Sequence, residues 1–70
     1  MTPLEFGEMR FGANMKCLYT NLGMKHKHII YRILSVDFYE GLLEIVDNNI
    51  TIVSDGDASW VRCENVELIP

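Results

Sequence analysis

A mainly β domain is what the sequence predicts: a small five-stranded barrel behind a short N-terminal helix or arm. Three observations lead there. Residues 29–38, Ile-Ile-Tyr-Arg-Ile-Leu-Ser-Val-Asp-Phe, are β-branched and aromatic, without Gly or Pro. Turn signals then recur every six to ten residues as far as Ile69. Within 70 residues, closure into a barrel removes exposed strand edges more economically than a two-sheet sandwich. Composition shifts near Gly23 and Met24, with all four methionines in the first 24 residues. This shift divides an N-terminal helical arm over residues 1–23 from a barrel over residues 24–70.

The arm opens with a helix signal. Thr2 is a capping residue, Pro3 suits the first helical position, and Glu5 stands three residues after Thr2 as a capping box requires. Gly7 and Gly12 limit this helix to a single turn, since each glycine costs about 1 kcal/mol relative to Ala. Residues 13–22 predict a second helix. Met15, Leu18, Tyr19 and Leu22 fall on one helical face, Lys16, Thr20 and Asn21 lie opposite, and Gly23 is placed as the stop. Three turns of helix need tertiary packing to persist; an irregular arm wrapping the barrel is the alternative.

The first barrel strand covers residues 29–38. Ile30, Leu34, Val36 and Phe38 share one parity and Ile29, Tyr31 and Ile33 the other, so the strand is expected to bend, with its first half covered on both faces. Tyr39-Glu40-Gly41 forms a turn. Leu42 to Val46 is the second strand, with either Leu43 and Ile45 or Leu42 and Val46 facing inward. Asp47-Asn48-Asn49 is a turn signal, because Asn tolerates the left-handed region. Ile50 to Val53 is the third strand, followed by the polar loop 54–59. Trp60 to Cys63 is the fourth, Glu64-Asn65 a turn, and Val66 to Ile69 the last.

Trp60-Val61 followed by Glu64-Asn65-Val66-Glu67-Leu68-Ile69 resembles the end of an SH3 domain, and Gly41-Leu42-Leu43-Glu44-Ile45-Val46-Asp47 resembles its diverging-turn strand. The resemblance implies an SH3-like β-barrel. It does not extend to proline-peptide binding. Arg62, Cys63 and Glu64 stand where the family has the proline and tyrosine of its polyproline groove. The family's long first loop does not fit the spacing, and its paired tryptophan is missing. In brevity and acidity the chain also resembles small phage or prophage accessory proteins.

A chain this short buries only about 60% of its unfolded surface, so a partner is expected to cover part of its 49% apolar content. Cys17 and Cys63 are too few for a disulfide scaffold. Neither a secretory signal nor a membrane span is visible, and a reducing, cytoplasmic setting with free thiols follows. The net charge of −4 is uneven. Residues 1–36 carry five basic groups and two acids, whereas residues 37–70 carry eight acids and a single basic group, Arg62. Such asymmetry steers charged partners.

Five constellations bear on function. Lys25-His26-Lys27-His28 with Tyr31 and Arg32 is a basic run beside an aromatic, which suits phosphate contact and base stacking; a solvated strand edge blunted by lysine is the plainer reading. His26 and His28, two apart, point the same way on a strand, but neither Cys17 nor Cys63 completes a four-ligand zinc set. Asp55-Gly56-Asp57 with Asp47 offers oxygens, yet reads as a turn rather than a calcium loop. Cys17 and Cys63 read as buried small hydrophobes rather than nucleophiles or a pair. Trp60, Tyr31, Tyr39 and Phe38 supply groove aromatics, with Trp60 and Phe38 as core the plainer reading and Tyr39 the most exposed.

The sequence thus predicts a non-enzymatic interaction module without metal or cofactor. It binds a protein partner or itself through Tyr39, Trp60 and an acidic rim of Asp55, Asp57 and Glu64. The alternative is a nucleic-acid-binding barrel using Lys25, Lys27, Tyr31 and Arg32. A second alternative is a structural homo-oligomer in which Phe6, Met9 and Phe11 of the arm cover a neighbour's barrel.

Overall fold

The computed structural model describes residues 1–20 and 29–69. The N-terminal helix, α1, spans Pro3–Glu8. Both halves of the expected capping box form: Thr2 Oγ1 accepts from the Glu5 N–H at 3.2 Å, and Glu5 Oε1 accepts from the Thr2 N–H at 2.9 Å. Six residues exceed the single turn expected, and Gly7 lies inside the helix. So short a helix does not persist alone in water. Phe6 holds it, being 2% exposed, and the Met1 ammonium donates to the carbonyls of Cys63, at 3.0 Å, and Val66.

Of the second helix expected over 13–22, the described residues 13–20 form none. Ala13 and Asn14 make a turn, with Asn14 at φ 62, a left-handed conformation that no helix interior accommodates. The chain then enters β1, Lys16–Tyr19. Pairing decides this: β1 bonds β2 (Tyr31–Asp37) on one side and β5 (Val66–Leu68) on the other. Two ladders outweigh the weak preference of a four-residue stretch. Leu22 and the Gly23 stop lie outside the described residues, as does the composition boundary at Gly23–Met24. The segment expected as an arm therefore contributes an interior strand.

Beyond β2 come β3, Leu42–Asp47, and β4, Ser59–Arg62. The five strands form one antiparallel sheet in the order β4-β3-β2-β1-β5. The parity switch in β2 has a physical form: the β2–β3 register shifts between Ile33 and Ser35, a bulge that bends the strand at Leu34. Gly41 closes the β2–β3 turn at φ 72, donating to the Asp37 carbonyl. Its own carbonyl accepts from Cys63 at 2.9 Å.

The expected strand over 50–53 is a loop. Asp47 Oδ1 accepts from the Asn49 N–H, and the Ile50 N–H reaches the Asp47 carbonyl. The Arg32 guanidinium then binds the carbonyls of Asn48 and Ile50, at 3.3 and 2.7 Å. The turn residues thus bond locally instead of starting a hairpin, and Ile52 is left 83% exposed.

β4 and β5 stand at opposite edges of the sheet, yet only the 3-10 turn Cys63–Asn65 joins them. Edges of a flat five-stranded sheet stand about 19 Å apart, and so short a 3-10 connection advances about 8 Å. The sheet is therefore curled. Among the described residues no pairing links β4 to β5, so it remains open.

The concave face holds the core: Phe6, Cys17, Ile33, Leu43, Ile45, Val61, Cys63 and Val66. Leu43 and Ile45 face it, settling one alternative for β3. Val46 is also buried, but outside that cluster; strand alternation sets it on the other face, opposite Arg32. Phe6, Phe11 and Phe38 stack with ring centroids 5.0–5.9 Å apart. Phe6 and Phe11 thus pack within their own chain.

Candidate interaction surface

Among the described residues strand β4 pairs with β3 alone, so its far edge carries backbone groups with no described partner. Along β4, Val61 points into the core while Trp60 and Arg62 point out. Trp60 is 50% exposed and opposes Glu44 on β3. Trp60 is therefore not core, and neither is Phe38, more than half exposed.

The acidic candidates flank this strand. After Arg62 the chain turns, and Glu64 lies exposed on that turn. Glu64 Oε1 accepts from the Cys63 thiol at 3.1 Å, and Oε2 lies 4.0 Å from Arg62 Nη1. The thiol bond, then the backbone and Arg62, hold the Glu64 carboxyl below its ordinary pKa, so it is charged at neutral pH. Before Ser59, Asp55 and Asp57 lie exposed in the loop. Asp57 Oδ2 accepts from the Ser54 N–H at 2.8 Å, and Gly56 takes φ 88, which is the turn geometry read from the sequence. Tyr39, 94% exposed, sits on the β2–β3 turn. The Gly41–Cys63 backbone bond draws that turn toward Glu64.

Among the described residues the five candidates are spread along β4 rather than gathered in one cavity. Tyr39 and Glu64 mark one end of β4, Asp55 and Asp57 the other, and Trp60 lies between. Glu64 instead lines a groove of about 390 Å³ with Met1, Glu5, Met9 and Leu68.

The basic constellation is divided. Lys25, His26, Lys27 and His28 lie outside the described residues. Arg32 is engaged by the two loop carbonyls. Tyr31 turns its ring against Tyr19 and the core. Burial, then the Asp47 charge, raises the Tyr31 hydroxyl pKa, so it stays neutral. Arg32 is thus not presented as a free phosphate contact.

Both cysteines are free and fully buried. Burial pushes the Cys17 thiol up to about 11. Burial and the adjacent Glu64 carboxylate raise Cys63 as well. Protonated thiols in an apolar core are poor nucleophiles. Among the described residues no three His, Cys, Asp or Glu side chains gather as metal ligands, and no helix is long and apolar enough to cross a membrane.

No protein-family model, curated protein or solved structure matches the chain. The residues themselves therefore carry the functional reading. One juxtaposition escaped the sequence: Asp57 and Tyr31, assigned there to different surfaces, line the same cavity together with Tyr19. Reading Tyr19 on a helix hid it.

Proposed function

We propose that the chain is a non-enzymatic interaction module, a small SH3-like barrel that binds a protein partner along strand β4. The observation that carries this reading is an edge strand with one side unpaired among the described residues and a half-exposed tryptophan on it. Extended peptides add to such edges through backbone hydrogen bonds, and side-chain contacts give selectivity. Trp60 supplies the apolar anchor. Asp55 and Asp57 at one end and Glu64 at the other favour a partner with basic residues, acting on association rate and selectivity more than affinity. The barrel reading is supported by the curl of the sheet and by the turn that brings its two edges to one corner.

Capture from lysate tests this, with wild-type, Trp60→Ala and Asp55→Asn/Asp57→Asn chains as baits, each with and without nuclease. A protein that survives nuclease, is lost with Trp60→Ala and is weakened by the double change at low salt is the expected result. Asn retains an oxygen for the Ser54 N–H, so the double change removes charge and leaves the loop bonded. Capture dependent on nucleic acid, or a partner held equally by all three baits, overturns the reading.

A further inference from the structure

Tyr19, the last residue of β1, and Tyr31, the first of β2, meet edge to face. Their ring centroids lie 6.5 Å apart with the planes at 88°. The inner corner of such a T is bounded by one face of each ring. Both tyrosines line a cavity of about 210 Å³ whose remaining described lining is Ile45, Val61, Ser59 and Asp57. Ile45 and Val61 are buried and form its floor; Ser59 and Asp57 are exposed and form its rim. The size is selective. It exceeds the roughly 150 Å³ that holds a benzene ring and falls short of the roughly 300 Å³ at which drug-sized sites begin. One compact head group fits.

The described lining is electrostatically one-sided. Each tyrosine ring carries the negative side of its quadrupole on its faces. Asp57 adds a carboxylate held in place, its Oδ2 fixed by the Ser54 N–H at 2.8 Å. Asp47 stands opposite Tyr31 in the β2–β3 ladder, close enough for its charge to act on the Tyr31 hydroxyl. Among the described residues no basic side chain lines the cavity. Two aromatic faces, an apolar floor and a fixed carboxylate disfavour anions and reward a cation with an apolar surface.

We infer that the corner of Tyr19 and Tyr31 closed by Asp57 is a binding site for an alkylammonium group. That group arrives either as a small free quaternary amine or as the lysine side chain, methylated or not, of a partner. The site shares Asp57 with the β4 surface but stands on different elements, so each reading can fail while the other holds.

The test is a titration of the full chain, followed by NMR of the tyrosine rings. The probes are tetramethylammonium chloride, choline, and 3,3-dimethyl-1-butanol as the neutral isostere of choline, with ionic strength held constant by sodium chloride. Glycyl-lysyl-glycine peptides with and without trimethylation form the second arm. Saturable shifts confined to Tyr19, Tyr31 and their neighbours are expected with the cations and not with the isostere. Saturation by the free amines alone identifies a small-molecule site, and saturation by a peptide identifies a side-chain site. Asp57→Asn is expected to weaken binding about fivefold, and Tyr19→Leu about tenfold. Tyr19 also packs on the core, so the Asp57 variant keeps the test decisive should Tyr19→Leu misfold. Unsaturable shifts, equal shifts with the neutral isostere, or affinity indifferent to Asp57→Asn overturn the inference.

Discussion

Replacing Phe6 by Ala separates an integral N-terminal segment from an appendage. Phe6 is 2% exposed and touches the rings of Phe11 and Phe38. Truncating a phenylalanine so buried costs about 3–5 kcal/mol, part transfer and part cavity. A 70-residue domain has only about 3.5–10 kcal/mol in total, so the loss consumes a large share. At this chain length each kcal/mol moves the midpoint by about 4–8 °C, and a fall of at least about 12 °C is expected by circular dichroism. Phe6→Leu keeps most of the apolar volume and should fall between variant and wild type. Leu4→Ala, on the same helix but 72% exposed, should stay within about 0.5 kcal/mol. A Phe6→Ala chain within about 1 kcal/mol of wild type would refute the argument, because the helix would then be packing on nothing that matters.

Three further outcomes follow from the same packing. Acetylating the Met1 amine leaves one N–H where the ammonium now serves the carbonyls of Cys63 and Val66, and a loss of about 1.5–3 kcal/mol in urea melts is expected; an unchanged midpoint would discount that clasp. The thiols should be silent to a disulfide reagent at pH 8 in the native chain and both reactive in denaturant, since Cys17 and Cys63 are 0% exposed. Their folded pKa values are raised above the ordinary 9.0, with Cys17 near 11. Between those values the unfolded chain loses protons that the folded chain keeps, so stability should fall as pH rises from about 9 to 11. Stability rising across that window would contradict thiol burial.

The legible parts of this fold were those that local chemistry decides. The capping box at Thr2 and Glu5, the turn at Gly41 and the Gly56 turn follow from residue type alone, whereas alternation left two inward pairs open for β3 and packing chose Leu43 and Ile45. Two elements exchanged places. The stretch 15–19 carries a helical spacing of Met15, Leu18 and Tyr19, yet Cys17 is claimed on both sides by Tyr31 and Leu68. The stretch 50–53 carries β-branched residues, yet Arg32, a distant residue, holds the Ile50 carbonyl in a loop. Both reversals come from partners remote in sequence, which no local pattern displays. The surface followed suit. Exposure of Tyr39 and the acids was readable, but Trp60 was torn between core and groove until the β3–β4 register fixed its face. The Tyr19–Tyr31 corner depended on the misread element and could not be seen.

Hydrogen exchange of the β4 amides, in the free chain and in complex with the protein captured by the wild-type bait, addresses the central claim most directly. The N–H groups of Ser59–Arg62 alternate between the β3 ladder and the open edge. Those bonded to β3 are expected to be slow in both states. Those on the open edge are expected to be fast in the free chain and slow in the complex. Open-edge amides already protected in the free chain, or unchanged by the partner, would contradict binding along β4.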